Sequence, residues 1–483
     1  MNDILIGGLD IGTSGCKLAL YDSRGNFVRD AYTEYNISRR GGHHEIDVSV
    51  IFNSVKKVIK NADCKKTAAI AVTSFGETFT MLDENDMPCA PSMLYTDPRG
   101  KEQCEKLTNK FGAGKLAFKT GTKMHEMYSL PKIMWIKENT YESFVRAKSI
   151  LLMQDYIVYM LCGVRRIDYS LAARTGCFDI ENKCWDKNLL SFAGIDKSLL
   201  SVPVPTGTAA GKIRSALASE LGVSENAVIV SGSHDQIAAM RGANICSNEQ
   251  VMDGTGTVEC VPVLFDDVPK NYKLYKMGYS FAPHPSGGYA CYALSYTGGA
   301  TLKWFRDNFS DMSYAELDKT VSEKPTNLLI MPHFAGAATP YMDTNSRAAV
   351  IGLTFEHTSA DIYKALMEGT AYEIALNLKI LKKAGLSAKS VTATGGGAKS
   401  DVWLQIKSDV LGLPVTALSC GEIGSAGTAI MAGSAIGVYD KNMTLALPRK
   451  TFYPNAERHE YYKKQLEKYK KIYKAVKEVM HDE

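Results

Sequence analysis

The chain has 483 residues, too many for a single hydrophobic core, and its length predicts two large domains. Apolar residues make up 45% and charged residues 22%, as in ordinary globular enzymes, and the net charge of +4 gives no reason to expect binding to nucleic acid or to an anionic membrane. The eleven cysteines, scattered from Cys16 to Cys420, form no CxxC pair, and no signal peptide or membrane-length apolar run occurs, so we expect a cytoplasmic protein with reduced thiols.

The first forty residues predict three short strands, at 4–11, at 16–21 and from 27 onward, separated by tight turns. Strands joined in this way form an antiparallel meander rather than a βαβ unit. Helical periodicity follows at 50–62, a further strand is predicted at 67–73, and most of 101–161 has a helical pattern.

A short pattern occurs twice in the chain. Leu9-Asp10-Ile-Gly-Thr-Ser-Gly15 and Val251-Met-Asp253-Gly-Thr-Gly-Thr257 each place an aspartate at a strand end, before a Gly/Thr turn that leads to another apolar strand. The repeat suggests a duplication that gives each half a phosphate loop facing one cleft, although two unrelated glycine-rich hairpins would give the same pattern. We place the domain boundary near 243–250, which predicts domains at 1–245 and 246–483.

The first copy has the residue types that a polyphosphate site needs. Gly12 lets the backbone approach a phosphate closely, Thr13 and Ser14 add hydroxyl donors, and Lys17 adds a cation. Asp10 could hold Mg²⁺ through water, because this ion dehydrates reluctantly. The string matches neither a P-loop nor a Rossmann fingerprint, and a plain hairpin is the structural alternative.

Two later glycine clusters could complete a nucleotide site. The opposing phosphate loop would consist of Gly254, Thr255, Gly256 and Thr257. The other cluster joins a predicted strand at 390–393 to a predicted helix at 401–411, a junction where a nucleoside can lie against the backbone near a helix N-terminus. Its residues, predicted to bind adenosine, are Gly395, Gly396, Gly397, Ala398 and Lys399. The alternative is an ordinary capped strand-to-helix turn.

Asp235 follows a buried strand, 228–232, at the point where a helix is predicted to begin. It could be an N-cap or a first-turn partner of the helix dipole. It could equally accept the proton of an attacking hydroxyl, since phosphoryl transfer needs a positioned carboxylate. The sequence leaves both interpretations open, and His234 is interpreted as structural.

Taken together, these motifs resemble the FGGY family of carbohydrate kinases. The resemblance spans nearly the whole chain and includes 10–13, 231–235, 254–257 and 395–400, a C-terminal signature at 352–369, and a glycine/alanine helix at 424–433 that would lie beside the base. It implies an α/β fold of two actin-like (ribonuclease H-like) ATPase domains with a nucleotide cleft between them. It also implies ATP and Mg²⁺ as cofactors and Asp235 as the general base.

Within that resemblance, the first domain would bind the sugar. A polyol site needs carboxylates and hydroxyls for the OH groups and an aromatic ring against the carbon chain. The candidate substrate-binding residues, besides Asp235, are Glu77, Thr78, Tyr95, Asp97 and Arg99. Each has a plain structural alternative as a surface charge or a core aromatic.

The substrate itself is less well defined. Gly76 stands where glycerol kinases have Arg, the xylulose-type His is absent, and Tyr95 stands where relatives have Trp. A pentulose such as D-xylulose is the first choice, with gluconate second and glycerol or another polyol third. A non-catalytic, nucleotide-gated sugar sensor is the rival class. The expected partner is a small sugar or polyol, and a homodimer is the assembly considered.

Overall fold

The computed structural model describes residues 4–419 and 422–481. The strands are β1 Leu5–Ile11, β2 Gly15–Asp22, β3 Phe27–Glu34, β4 Ser38–Arg40, β5 His43–Ile46, β6 Thr67–Ser74, β7 Phe79–Leu82, β8 Ser92–Met93, β9 Ser149–Leu152, β10 Arg166–Asp168, β11 Phe178–Asp179, β12 Cys184–Trp185, β13 Val202–Val204, β14 Thr208–Lys212, β15 Val228–His234, β16 Gln250–Thr255, β17 Glu259–Phe265, β18 Phe281–Pro283, β19 Tyr289–Ser295, β20 Leu329–Met331, β21 Ala349–Ile351, β22 Ser390–Gly395, β23 Val415–Leu418 and β24 Pro448–Phe452.

The helices are α1 Val48–Asn61, α2 Lys101–Phe111, α3 Ala113–Thr120, α4 Ser129–Asn139, α5 Tyr141–Arg146, α6 Met153–Cys162, α7 Tyr169–Ala173, α8 Lys187–Ala193, α9 Ser215–Leu221, α10 Asp235–Gly242, α11 Tyr272–Lys276, α12 Gly299–Phe309, α13 Tyr314–Thr320, α14 Ser359–Lys382, α15 Asp401–Leu411, α16 Ile423–Ala435 and α17 Ala456–His481. Short 3-10 turns lie at Lys197–Leu199 and Gly396–Lys399. The N-terminal meander and the helix at 401–411 are confirmed. In the described part of the chain, no helix is long and apolar enough to cross a membrane.

The chain forms two units. One contains the described residues up to Asn244 together with Phe281–Tyr289 and Glu422–Leu445. The other contains the described parts of Ile245–Ser280, Ala290–Gly421 and Ala446–Glu483. The division at 245/246 stays a prediction about domains. The units differ from it because two segments of the second half group with the first unit.

In the first unit the main sheet has the order β14-β15-β6-β1-β2-β3. Its central strand β1 is antiparallel to β2 and parallel to β6, which in turn is parallel to β15. The apolar run of β1 is buried, and the apolar face of α1 packs on the same core with the side chains of Ile51 and Val55. Asp47 caps α1 by accepting from the Ser49 N–H. The parallel strands β1, β6 and β15 therefore end at the same edge of the sheet.

In the second unit the sheet contains the order β19-β17-β16-β22-β23-β24. Its central strand β16 is antiparallel to β17 and parallel to β22, and β22 is parallel to β23. The strand order thus repeats that of the first unit around β1. The repeated sequence pattern corresponds to a repeated sheet topology, with Asp10 and Asp253 near the ends of equivalent strands.

Helix α16 packs against β1 and α10 within the first unit, at a distance that only small residues permit. A methyl group on Gly8 would overlap the carbonyl oxygen of Ser425, and one on Gly427 would overlap that of Ala238. The sequence interpretation put this helix beside the base. That placement beside the nucleotide base stays a prediction. The N-terminal turn of the helix lies beside Asp10, because a methyl on Gly424 would lie 3.2 Å from Asp10 Oδ2.

Candidate active site

Asp10 lies at the end of β1, where the first predicted phosphate loop begins. Gly12 donates its N–H to the Gly15 carbonyl at 2.9 Å and closes a tight turn. Ser14 is exposed in this turn, and Gly12 and Thr13 are half-buried. The loop therefore presents its backbone and two hydroxyls at the sheet edge, as a phosphate site requires.

The carboxyl group of Asp10 lies in a strongly negative environment. Burial first, and then the charges of Asp235 and Glu422, raise its pKa to about 7, while the charge of Lys17 opposes the increase. Asp10 Oδ1 is buried without a hydrogen-bond partner. A buried carboxylate oxygen without a hydrogen-bond partner is a suitable outer anchor for a divalent ion.

Lys17 is less free than the sequence suggested. It stands opposite Asp10 in the β1–β2 register, and its Nζ lies 2.7 Å from Asp30 Oδ2 and 3.1 Å from Glu422 Oε1. Burial lowers its pKa, but the hydrogen bonds to these two carboxylates outweigh burial and raise it. Its predicted phosphate contact stays a prediction, and two acidic groups already share its charge.

Asp235 is the first residue of α10, and the interpretation of this residue as an N-cap is wrong. The N-cap is His234, and its side chain makes no capping hydrogen bond. The Asp235 side chain is 37% exposed, and its Oδ1 lies 3.3 Å from His234 Nε2. A carboxylate that is accessible and not engaged at the helix start is available to accept a proton. From the sequence we interpreted His234 as structural, and in the structure its ring is the neighbour of this carboxylate.

Glu77 is held by Arg174, a residue that sequence reasoning missed. Arg174 Nε donates to Glu77 Oε1 at 2.5 Å, and its guanidinium lies 5.2 Å from the centre of the Tyr128 ring. Glu77 adopts a left-handed φ of 64°, which is costly for a non-glycine residue. The neighbouring Thr78 has a buried Oγ1 without a hydrogen-bond partner. Arg174 lies 97 residues after Glu77, and nothing local in the sequence links the two.

The Tyr95 hydroxyl lies in the electric field of the same acidic residues. Burial raises the pKa of its hydroxyl, and the charges of Glu77 and then Asp235 raise it further, while Arg39 lowers it. Tyr95, Glu77 and Asp235 are therefore close enough for their charges to act on one another, and so are Asp10 and Asp235.

Asp97 and Arg99 form a second network in the same unit. Arg99 donates to Asp97 through Nε at 2.8 Å and to Glu45 at 2.5 Å, and the Asp97 carboxylate also accepts the His44 N–H. Burial would raise the pKa of Asp97, but these hydrogen bonds lower it to about 2. Lys132 donates to the Asp97 carbonyl at 2.5 Å. The pair thus fixes its own loop, and its predicted contact with substrate remains a prediction.

In the second unit the predicted phosphate loop, 254–257, follows β16. Gly256 donates to the Val258 carbonyl at 2.9 Å, and Gly256 and Thr257 are exposed while Gly254 is half-buried. The Thr255 side chain is buried, and Lys407 donates to its hydroxyl at 2.7 Å. The exposed part of the loop is therefore Gly256 and Thr257.

A cavity of about 480 Å³ lies beside this loop. Its lining brings together the second phosphate loop and the predicted adenosine cluster: Thr255, Gly256, Gly299, Leu302, Tyr314, Ala315, Asp318, Tyr363, Gly396, Gly397, Lys399, Ser400 and Trp403. Gly395 and Ala398 are outside this lining, and Ala398 presents its carbonyl to Arg449 at 3.0 Å. Apolar and aromatic walls with a few polar groups are typical of a nucleoside pocket.

The three consecutive glycines, at 395–397, are not all required for the same physical reason. Gly395 has a left-handed φ of 79°, and a methyl on Gly397 would lie 2.6 Å from Thr255 Cβ. A methyl on Gly396 would meet only the Thr255 carbonyl oxygen, at 3.8 Å. Packing therefore accounts for Gly395 and Gly397, and open space next to the cavity remains at Gly396.

The residues present fit a magnesium ion that keeps most of its water ligands. In the described ranges, no group of three or more His, Cys, Asp or Glu side chains could hold a metal. Asp10, at the start of the first phosphate loop, offers a buried carboxylate oxygen without a hydrogen-bond partner. Mg²⁺ usually keeps several waters and binds through one or two carboxylates plus substrate phosphates, and this donor set suits such binding.

The chain is similar in sequence and in structure to known carbohydrate kinases. The chain is 28% identical to a xylulose kinase of Staphylococcus epidermidis, over 98% of this chain and 97% of that protein, and 26% identical to a gluconokinase of Bacillus subtilis, over 90% and 88%. Among solved structures, a gluconate kinase and a ligand-bound xylulose kinase from Lactobacillus acidophilus each match with a TM-score of 0.90 at 25% identity, over 98% of both chains.

Family models give the same result. Residues 5–242 match the N-terminal domain of the FGGY family of carbohydrate kinases, and residues 256–436 match its C-terminal domain. These matches cover most of the chain and identify the two units as actin-like ATPase domains. The protein therefore belongs to the FGGY family of carbohydrate kinases, enzymes that use ATP to phosphorylate sugars and polyols.

Proposed function

We propose that this kinase phosphorylates a hydroxyl of a neutral pentulose such as D-xylulose, with Asp235 as general base. The observation that supports it most is the excess of carboxylate around Asp235. Asp10 and Glu77 lie in its neighbourhood, and the cation Arg174 is already paired with Glu77. Such a site favours a substrate rich in hydroxyl donors over one that carries its own negative charge.

In this mechanism the substrate oxygen attacks the γ-phosphorus of ATP, the bond from that phosphorus to the β–γ bridging oxygen breaks, and ADP leaves. Asp235 accepts the proton of the substrate hydroxyl in the same step. The proton moves to the accessible carboxylate at the start of α10, and His234 at 3.3 Å orients that carboxylate. The Glu77 carboxylate accepts hydrogen bonds from the sugar hydroxyls. The Tyr95 ring packs against the carbon chain of the sugar. Arg174 holds the carboxylate of Glu77.

ATP is proposed to bind with its base and ribose in the cavity of the second unit. Gly396, Lys399 and the start of α15 would lie against the nucleoside, and Gly256 and Thr257 would donate to the phosphates. The loop 12–14 would donate to the phosphates from the first unit. Asp10 would hold Mg²⁺ through water, and the ion when bound neutralises phosphate charge.

A panel of acceptors tests the proposal. ADP release should depend on added sugar, and kcat/KM should be highest for D-xylulose among D-xylulose, D-gluconate and glycerol. The xylulose kinase relatives support this order, and the gluconokinase relatives make gluconate the alternative. A kcat/KM about tenfold higher for gluconate than for D-xylulose would overturn the proposed substrate. ADP release that no acceptor stimulates would overturn the proposed kinase activity in favour of a sugar sensor. Homodimer formation is a separate proposal that light scattering tests.

A further inference from the structure

A buried charged cluster lies beneath the second phosphate loop. We call Asp253, Glu259 and Lys407 the second-loop cluster. Lys407 Nζ lies 2.5 Å from Asp253 Oδ2 and 2.6 Å from Glu259 Oε1. All three side chains are at most 1% exposed. None of the phosphate-loop or adenosine motifs in the sequence includes Glu259 or Lys407.

The cluster places one cation between two carboxylates. Burial lowers the pKa of Lys407, but Asp253 and Glu259 outweigh burial and raise it, so this lysine stays charged. Glu259 Oε2 is buried without a hydrogen-bond partner. Removing one member of such a set leaves uncompensated charge in the interior, so the geometry of the set depends on Lys407.

Thr255 connects the cluster to the cavity. Its hydroxyl accepts from Lys407 at 2.7 Å and donates to Glu259 at 2.9 Å. Its carbonyl oxygen and side chain are the atoms against which Gly395 and Gly397 pack. The position of Thr255 thus fixes the phosphate loop on one side and the adenosine cluster on the other.

Lys407 also belongs to the helix that lines the cavity. It lies one turn after Trp403 on α15, and its Nζ is 4.7 Å from the centre of the Trp403 ring. Trp403 lines the cavity, whereas Lys407 does not. One ammonium group therefore ties α15 to β16 directly beside the phosphate loop.

We propose that Lys407 is a positioning residue that sets the spacing between the nucleoside cavity and the phosphate loop 254–257. This inference rests on the proposed binding of ATP in that cavity. Lys407 touches no ligand and acts through Thr255. Its loss should weaken interactions with the phosphates while leaving the nucleoside pocket formed.

The test is the affinity of Lys407→Met for ATP and for adenosine, measured by calorimetry, together with steady-state kinetics. The Kd of ATP should rise about tenfold and kcat should fall about 10²-fold, because small misplacements of reacting groups have effects of this size. The Kd of adenosine and the KM of the sugar should change less than about threefold. Equal weakening of ATP and adenosine would overturn the positioning role.

A second variant separates positioning from stability. Lys407→Met combined with Glu259→Gln removes one positive and one negative charge, which keeps the net charge of the second-loop cluster. We expect thermal stability to recover toward the wild-type value while the preference for ATP over adenosine stays reduced, because Thr255 still lacks its donor. Recovery of the ATP preference together with stability would overturn the proposal.

Lys364→Met is the matched control. Lys364 is a buried lysine of the same unit, on α14, that donates to the Ser322 carbonyl at 2.6 Å and lies 3.8 Å from Glu368. It should lower stability without changing the ratio of ATP to adenosine affinity. The same change in that ratio would show general loosening and overturn the role of Lys407.

Gly396→Leu distinguishes failure of the inference from failure of the proposed function. Leucine at this position should fill the cavity and abolish adenosine binding. Unchanged ATP and adenosine affinity in Gly396→Leu would show that the nucleotide binds elsewhere, which overturns both. Loss of binding there, with a normal ATP preference in Lys407→Met, would overturn the inference alone.

Discussion

Asp235 carries the proposed chemistry at the scale of a single residue. Asp235→Asn should keep α10 formed, because no capping hydrogen bond depends on this side chain. It removes the proton acceptor, so kcat should fall by about 10²–10⁴-fold with a modest change in sugar KM. Steady-state kinetics on the folded variant measure this.

The control for Asp235 is Glu142→Gln, which removes an exposed first-turn carboxylate from α5 and should leave kcat unchanged. If Asp235 served only the helix dipole, both variants would lower stability by at most about 1 kcal/mol and neither would slow turnover. A loss of kcat below about tenfold in Asp235→Asn would exclude the general-base role.

Asp155 gives a pH prediction that is independent of the active site. Burial raises the pKa of its carboxyl to about 8, and Ser201 Oγ donates to its Oδ2 at 2.6 Å. The folded state therefore binds this proton more tightly than the unfolded state does. The stability contribution is full below the ordinary pKa of about 4 and is lost as pH rises toward 8.

Asp155→Asn should therefore stabilise the protein relative to wild type at pH 9 by roughly 2–4 kcal/mol, and much less at pH 5. Thermal unfolding at both pH values measures the difference. Asp83→Asn is the control of opposite sign, because the N–H groups of Met87 and then Asn85 lower the pKa of that exposed carboxyl. If the stability difference between Asp155→Asn and wild type does not change with pH, burial does not raise the pKa of this carboxyl.

Local patterns in the sequence predicted some of these residues and could not predict others. Asp10 and the glycine turns were recognisable because a strand end followed by Gly and Thr is contiguous in the chain. Lys17 was predicted to face phosphate, but Glu422, hundreds of residues later, shares its charge. Arg174 and Lys407 were missed for the same reason, since their carboxylate partners are distant in sequence and only the fold brings them together.

At the scale of elements, α16 and α10 form an unusually close helix pair. A methyl group on Gly427 would overlap the backbone of Ala238 and approach the Gly242 N–H to 2.7 Å. Gly427→Ala should therefore destabilise the protein by at least about 2 kcal/mol, because neither backbone can move without disturbing the sheet. Chemical denaturation measures this.

Ser434→Ala on the same helix is the control for Gly427→Ala. The Ser434 hydroxyl is buried without a hydrogen-bond partner, so its removal should be neutral or slightly stabilising. Equal stability of the two variants would show that the helices can separate at little cost. Element boundaries were predictable here, since the glycine and alanine run is plainly helical, but the packing partner of the helix was not.

At the scale of the molecule, the first unit is not one continuous stretch of chain. A chain that ends at residue 245 lacks Phe281–Tyr289 and α16, and it leaves the Gly8 face of β1 uncovered. We expect this fragment to bind a hydrophobic dye and to lack a cooperative urea transition. Fusing residues 281–289 and 422–445 to it through flexible linkers should restore cooperativity. A cooperative transition in the unfused fragment would contradict the expectation.

During synthesis on the ribosome, β1 emerges early, whereas the helix that covers it is translated near the end. The first unit therefore stays incompletely folded, with an apolar face of β1 exposed, while almost all of the second unit is translated. Nascent chains in this state are prone to aggregation and are bound by chaperones. The order of segments along the gene thus makes folding of the first unit a late, post-translational event.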